Sequence, residues 1–194
     1  MLEVSGEARS ERIACLNWPD AFPYRPEAAF SISHTGEALQ LAFRVREDAV
    51  RACCAADGEH AWEDSCVEFF FDPHGDGAYF NLECTCTGQL YLCHGNGRHG
   101  REMLPKWAFS AISRQCSLGR EPFGLREEPT EWSVALEIPA TVFGLETFSG
   151  LHARGNFYKC GDRLPVPHYL SWAPIATPRP DFHRPEFFDI LNFV

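Results

Sequence analysis

The stretch "ALQLAFRVR", residues 38–46, alternates apolar and polar side chains without interruption. In an extended chain, successive side chains point to opposite faces, so Leu39, Leu41, Phe43 and Val45 share one face and the polar residues share the other. This pattern predicts a strand that is buried on one side. Similar alternation occurs at AFSISH (29–34), CVEFFFD (66–72), YFNLECTC (79–86), QLYLC (89–93), EWSVALEIP (131–139) and FFDILNFV (187–194).

Turn-forming segments separate these predicted strands. PHGDG (73–77), HGNGRHG (94–100) and RLPVPH (163–168) are rich in the residues that supply turn geometry. Only EDAVRACCA (47–55) and PATVFG (139–144) could hold a turn or two of helix, and the proline-rich chain from 165 to 185 should wrap a surface in extended form. The sequence therefore predicts an all-β, single-domain antiparallel β-sandwich over residues 1–194, immunoglobulin-like or jelly-roll-like, with little helix.

Charge and composition restrict the partners. The 17 basic and 27 acidic residues give a net charge of −10, which would repel a phosphate backbone or an anionic membrane. The N-terminus shows no signal-peptide pattern, and no apolar run reaches about 18 residues. We therefore expect no nucleic-acid or membrane partner, and a cytoplasmic location with reduced thiols at the nine cysteines; a periplasmic or secreted protein is the alternative if a signal peptide has been removed.

Two motifs resemble known ligand loops. GNGRHG (95–100) has the glycine spacing of a dinucleotide site, but Pro105 would interrupt the helix that such a site needs, so a hairpin loop is predicted instead. DPHGDGAYFNLE (72–83) offers Asp72, Asp76 and Glu83 at calcium-loop positions. Strands rather than helices flank it, so the interpretations are a plain hairpin turn or a structural calcium site; no other cofactor is predicted.

The predicted hairpin of residues 66–86 has an unusual outward face. Because side chains alternate along a strand, Glu68 and Phe70 point to one face and Val67, Phe69 and Phe71 point to the other. Pairing with the next strand should then bring Tyr79, Asn81 and Glu83 beside them, with Trp62 at the start. Aromatic rings next to carboxylate and amide groups suit a sugar, which has an apolar ring face and a rim of hydroxyls. The alternative interpretation is that Trp62 only caps the edge of the sandwich.

The order of several motifs resembles family 9 carbohydrate-binding modules, particularly the DOMON-like free-standing bacterial forms. These motifs are W-x-D-S-C-V-E-F-F-x-D-P (62–73), Y-F-N-L-E (79–83), W-S-V-x-L-E-I-P (132–139), G-N-F-Y-K-C-G-D (155–162) and S-W-x-P (171–174). The resemblance implies a β-sandwich in which two tryptophans clamp a terminal sugar. It matches Trp62 to the first tryptophan, Trp172 to the second and Glu68 to a contact with sugar hydroxyls.

We therefore predict non-catalytic binding of a saccharide, a chain end or a small oligosaccharide, between Trp62 and Trp172 with Glu68 as the polar anchor. Strand parity and proximity add Asn81, Glu83, Asn156 and Tyr158 as candidate contacts. Two alternatives stay open at this point. Glu68 and Glu83 could serve a glycan-acting hydrolase or its subunit, and Met103 with histidines could ligate haem in an electron carrier.

Overall fold

A computed structural model describes residues 1–194, and most of its regular secondary structure is β-strand. The strands are β1 Leu2–Val4, β2 Arg9–Arg12, β3 Glu27–His34, β4 Ala38–Glu47, β5 Val50–Ala52, β6 Cys66–Asp72, β7 Ala78–Thr85, β8 Leu90–Asn96, β9 Gly100–Met103, β10 Ser113–Cys116, β11 Phe123–Arg126, β12 Thr130–Pro139, β13 His152–Cys160, β14 Tyr169–Ser171 and β15 Asp189–Phe193. The single α-helix, α1, spans Lys106–Ala111, and short 3-10 turns occur at Ala61–Glu63, Ala140–Phe143 and Pro185–Phe187. No helix has the length and apolar character needed to cross a membrane.

Two large sheets form a sandwich. The eight-stranded sheet has the order β1-β15-β13-β6-β7-β8-β9, with β14 also paired to β13, and the five-stranded sheet has the order β10-β12-β4-β3-β2. All their pairings are antiparallel except that of β1 with β15. Strands β5 and β11 form a separate pair. The prediction of an all-β antiparallel sandwich is confirmed.

The space between the two sheets holds the main hydrophobic core of 37 buried residues. Phe157 of β13 lies at its centre, stacked on Phe30 of β3 with ring centroids 3.6 Å apart and on Phe69 of β6 at 4.7 Å. The alternation that predicted β4 sends Leu39, Leu41, Phe43 and Val45 into this layer. We call this side of the eight-stranded sheet the inner face.

A buried ion pair also connects the sheets. Lys159 Nζ of β13 lies 2.9 Å from Glu47 Oε2 at the end of β4, and both side chains are fully buried. The same ammonium donates to the Cys160 carbonyl at 2.7 Å and lies 2.9 Å from His168 Nε2. Trp132 Nε1 donates to Glu47 Oε1 at 2.7 Å. Each charge therefore has compensating partners, as burial of an ion pair requires.

The outer face of the eight-stranded sheet carries a second, smaller core of 10 buried residues, among them Trp18, Phe70, Tyr158, Phe182 and Phe188. Its covering comes from the N-terminal segment around Trp18 and from the chain after β14. As a result every residue of β6 is buried. The proline-rich segment was predicted to wrap a surface, and the surface that it covers is this face.

Two local predictions were wrong. Residues 47–55, expected to allow a helical turn, contain strand β5, because Val50 and Ala52 bury their side chains in the main core. The segment after Met103, expected to lack a helix because of Pro105, contains α1. Pro105 stands immediately before the first helical residue, where its missing N–H leaves no helical hydrogen bond unmade.

Candidate functional site

A cavity of about 210 Å³ opens on the outer face of the eight-stranded sheet. Strands β6, β7 and β13 form its floor, the 3-10 turn at Ala61–Glu63 forms one wall, and the chain from β14 onward forms the opposite wall. The residues that line it are Trp62, Glu68, Glu83, Arg98, Arg101, Cys160, Asp162, Tyr169, Pro180, Asp181, Phe182 and His183. At this size the cavity is below the roughly 300–1,000 Å³ of drug-sized ligand sites, so it suits one small ring.

Two glutamates lie side by side on the cavity floor. Glu68 of β6 and Glu83 of β7 are direct cross-strand partners, and each is only 3% exposed. The Cys160 thiol donates to Glu68 Oε1 at 2.9 Å, and Asn81 Nδ2 donates to Glu83 Oε1 at 2.9 Å. Glu83 Oε2 is buried without any hydrogen-bond partner. The floor therefore presents an acceptor that the protein itself leaves unsatisfied.

Burial raises the pKa of both carboxyl groups. The pKa of Glu68 rises to about 7, because desolvation outweighs the hydrogen bond from Cys160. The pKa of Glu83 is raised well above its ordinary value by desolvation and then by the neighbouring charge of Glu68. Adjacent carboxyls in a buried site retain a proton near neutral pH, since two like charges there are unfavourable. The pair can therefore both donate and accept hydrogen bonds.

The indole of Trp62 forms one wall and is held from behind. The His60 ring stacks on it with centroids 4.4 Å apart, and the Tyr91 ring meets it at 5.1 Å and 87°. Its backbone carbonyl accepts a hydrogen bond of 3.0 Å from the Asp162 N–H, which fixes the 3-10 turn to the end of β13. The half-buried ring therefore has a fixed orientation beside the cavity.

Tyr169, Phe182 and His183 form the opposite wall. Phe182 stacks on Tyr158 at a centroid distance of 4.2 Å, and its carbonyl accepts a 3.2 Å hydrogen bond from the Tyr158 hydroxyl. The Tyr79 hydroxyl and His183 Nδ1 are 2.9 Å apart. The irregular chain of the C-terminal segment is thus fixed to the outer face by aromatic side chains that project from β7 and β13.

The β8–β9 hairpin brings two arginines to the cavity. Arg101 lies opposite Gly95, where a side chain would collide with the Gly100 carbonyl, so the hairpin requires glycine at position 95. Arg98 Nη2 lies 3.4 Å from Asp181 Oδ1, whereas the buried Nη1 of Arg101 has no partner. Burial and then the nearby Arg101 charge lower the pKa of His183 to about 2, so that ring stays neutral.

Several of the residues predicted for the site meet at the cavity, and others do not. Trp62, Glu68 and Glu83 line it, and Asn81 lies against Glu83. Asn156 and Tyr158 are fully buried and do not line it. The Asn156 side chain holds the backbone of Ala173 through bonds of 2.9 and 3.1 Å. Their role in the structure is to hold the covering segment in place.

Trp172 does not form the second wall, contrary to the prediction. Its ring packs edge-on against Phe30 at 5.9 Å and Phe157 at 5.7 Å, both residues of the main core. The reason is strand parity: β14 sends Tyr169 toward the cavity and Leu170 into the main core, and Trp172 has the parity of Leu170. Tyr169 is therefore the aromatic residue from this segment that lines the cavity together with Trp62.

The three candidate calcium ligands are not brought together. The Asp72 carboxylate accepts hydrogen bonds of 2.7 to 3.2 Å from the backbone N–H groups of residues 74, 75 and 77, and Asp76 Oδ1 accepts one from the Ala78 N–H. Glu83 lies at the cavity floor. Asp72 and Asp76 thus organise the β6–β7 turn. Met103, considered as a haem ligand, is half-exposed on β9 and does not line the cavity.

Nine lining residues were not identified from the sequence: Arg98, Arg101, Cys160, Asp162, Tyr169, Pro180, Asp181, Phe182 and His183. The GNGRHG loop was interpreted only as a turn, although Arg98 within it and Arg101 directly after it could have been noted as basic groups. Tyr169 could have been found from the two-residue period of HYLSW. The positions of Phe182 and His183 had no signal, because they lie in a segment without regular structure.

Comparisons with known proteins agree with this architecture. The model of carbohydrate-binding family 9 matches residues 3–193. A candidate carbohydrate-binding protein from Bacteroides uniformis ATCC 8492 is 40% identical, with a TM-score of 0.93 over 96% of this chain and 86% of that one. A family 9 module from Caldicellulosiruptor kristjanssonii in complex with glucose has a TM-score of 0.60 at 12% identity, covering 100% of this chain and 95% of that one.

The same kind of module from that organism in complex with cellotriose has a TM-score of 0.57 at 11% identity, covering 99% of this chain and 92% of that one. At these identities the two Caldicellulosiruptor structures show a shared fold. Among curated proteins, no relative matches the chain.

Proposed function

Because the chain belongs to carbohydrate-binding family 9, we propose that its outer-face cavity binds one sugar ring of a chain end or a small oligosaccharide, without catalysis. Trp62 is the stacking wall, Tyr169 and Phe182 form the facing wall, and Glu68 and Glu83 contact the hydroxyls. The Caldicellulosiruptor modules, which are complexed with glucose and cellotriose, supply the first ligands to test.

One observation carries this proposal: two residues that line the cavity each have a buried polar atom without a hydrogen-bond partner. Glu83 Oε2 and Arg101 Nη1 are both buried without partners. Each unsatisfied buried polar group costs about 1–3 kcal/mol. A sugar hydroxyl both donates and accepts, so a polyol offers partners for both kinds of group.

The arrangement of aromatic rings supports the same ligand. An indole beside a carboxylate can pack on the C–H face of a pyranose while the acid binds its rim. The stack with His60 keeps the Trp62 ring from rotating, which lowers the entropy cost of binding. With one well-placed ring and association costs included, we expect affinities from roughly micromolar to millimolar.

The hydrolase alternative has less support from the geometry. Glycoside hydrolysis requires two carboxyl groups that flank the scissile bond. Glu68 and Glu83 are nearest neighbours on adjacent strands and approach a ligand from the same floor. Absence of turnover with chromogenic glycosides is the expected result, and measurable turnover that Glu83→Gln removes would favour an enzyme.

Calorimetric titration with glucose and cellotriose, on the wild type and two tryptophan variants, tests the proposal. We expect Trp62→Ala to lose about tenfold or more in affinity, since stacking adds about 0.5–1.5 kcal/mol to the area that the ring buries. The matched control, Trp172→Ala, should lower thermal stability and leave the affinity of the folded protein within about twofold. Equal heats from Trp62→Ala and the wild type would refute the proposal.

A further inference from the structure

Two thiols and a carboxyl group meet below the cavity floor. The ligating atoms of Cys66, Glu68 and Cys160 all lie within 4.8 Å of one another. Cys66 of β6 and Cys160 of β13 are direct cross-strand partners, and all three side chains are buried. Because both strands lie in the middle of the eight-stranded sheet, this cluster has a rigid backbone.

The two carboxyl groups of the cavity floor have no direct ion pair, although Arg98 and Arg101 line the same cavity. Elsewhere in the molecule, the buried acids Glu47 and Asp64 each pair with a lysine or an arginine. Glu68 and Glu83 are equally buried, but no ammonium or guanidinium nitrogen lies within 4.0 Å of either carboxylate. Buried carboxyl groups must bind a proton or a cation, since an unpaired buried charge is strongly unfavourable.

We propose that Cys66, Glu68 and Cys160 form a binding site for a thiophilic divalent cation of the Zn²⁺ type. Two sulfur ligands and one carboxylate oxygen suit Zn²⁺ and do not suit the hard ions Ca²⁺ and Mg²⁺. Both thiols lose their protons when the ion binds, because the thiolate is the ligand. Cys160 and Glu68 line the cavity, so the ion has an entry route and an open coordination position on that side.

This inference goes beyond the proposed sugar site and shares only Glu68 and Cys160 with its lining. The open position would face the space assigned to the sugar ring. The two activities are nevertheless separable, because Cys66 does not line the cavity and contributes only to the metal site.

Cobalt binding to the reduced, metal-free full chain tests the site. Co²⁺ in a tetrahedral thiolate site gives intense ligand-to-metal charge-transfer and visible d–d bands, which Zn²⁺ should then abolish by displacement. We expect one equivalent of Co²⁺ per chain. Cys66→Ser and Cys160→Ser should each lose the charge-transfer intensity and bind at least about tenfold more weakly, since even outer-shell changes cost about 10–100-fold.

Cys93→Ser is the matched control, because Cys93 is a buried cysteine of strand β8 in the same sheet and lies outside the cluster. Its spectrum should equal that of the wild type. Glu68→Gln, which retains both thiols, should weaken Co²⁺ binding and provides a second variant if a serine variant does not fold. A wild type without thiolate charge transfer, or a Cys66→Ser spectrum identical to the wild type, would overturn the inference.

Glucose titration of the metal-free protein and of Cys66→Ser keeps the two proposals apart. Sugar binding without a cobalt band would overturn only the metal site. A cobalt band without any sugar binding would leave the metal site intact and overturn the proposed function.

Discussion

The two faces of the eight-stranded sheet are built from the same strands but differ in polarity and in what covers them. The inner face packs against the second sheet through rings such as Phe69, Phe71 and Phe157. The outer face mixes rings such as Phe70 and Tyr158 with buried acids and amides, and a nonregular segment covers it. Consecutive residues of β6 and β13 therefore point in turn into the main core and into the smaller outer core with its cavity. The difference shows how a strand buried on both sides can carry a polar site.

The inner face should dominate the stability of the fold. Phe157→Ala removes a ring stacked between Phe30 and Phe69, and we expect the free energy of unfolding to fall by about 3–5 kcal/mol. Urea denaturation measures this change. Phe157→Leu, which retains most of the volume, is the control and should cost below about 1.5 kcal/mol. Similar losses for both variants would contradict close packing at this position.

The outer face should instead make stability depend on pH through its carboxyl pair. The pKa of Glu68 rises from 4.5 to about 7 on folding, so the folded state holds a proton that the unfolded state releases. The stability that this carboxyl contributes to the folded state is fully present below pH 4.5 and is lost as the pH rises through about 7. Glu68→Gln, which cannot ionise, should therefore match the wild type near pH 4.5 and exceed it in stability at pH 8, by about 3 kcal/mol.

Thermal or urea unfolding of both proteins at several pH values checks this difference. His183 titrates in the opposite direction, because its pKa is lowered on folding. Comparing the variant with the wild type at each pH cancels that contribution. A stability difference that stays constant from pH 4.5 to pH 8 would show that Glu68 is not desolvated in the folded protein.

The smallest expected effect concerns the support behind the stacking wall. His60→Ala removes an exposed ring that stacks on Trp62 at 4.4 Å. We expect glucose affinity to fall by about two- to threefold, since an exposed aromatic pair contributes about 0.5 kcal/mol. His60→Phe, which retains a flat ring, should preserve affinity in the same calorimetric titration. A loss as large as that of Trp62→Ala would mean that His60 itself contacts the sugar.

The inner face could be predicted from the sequence in detail. Leu39, Leu41, Phe43 and Val45 lie in the main core as the alternation of β4 requires. The outward parity of Glu68 and Glu83 was also correct, and both line the cavity. Periodicity is a local property, so the chain carries it directly. Periodicity could not show that the outer face of the eight-stranded sheet would be covered. The covering chain after β14 lies about a hundred residues away in the sequence from β6.

The opposite wall of the site illustrates that limit. Trp172 was selected by resemblance, yet it packs on the inner face, and Tyr169 faces the cavity. The arginines of the β8–β9 hairpin and the residues Phe182 and His183 reach the site from loops with no periodic signal. Their positions depend on long-range contacts such as the stack of Phe182 on Tyr158.

The sequence by itself determined the sandwich, the strand faces and the family. Local alternation of apolar and polar residues predicts the strands and their faces, and the order of short motifs indicates the family. Only the tertiary structure decided which aromatic rings meet across the cavity and which acids lie together beneath it. The physical reason is that strand pairing fixes neighbours across the sheet, such as Glu68 with Glu83 and Cys66 with Cys160. No local sequence pattern specifies which residues become these partners.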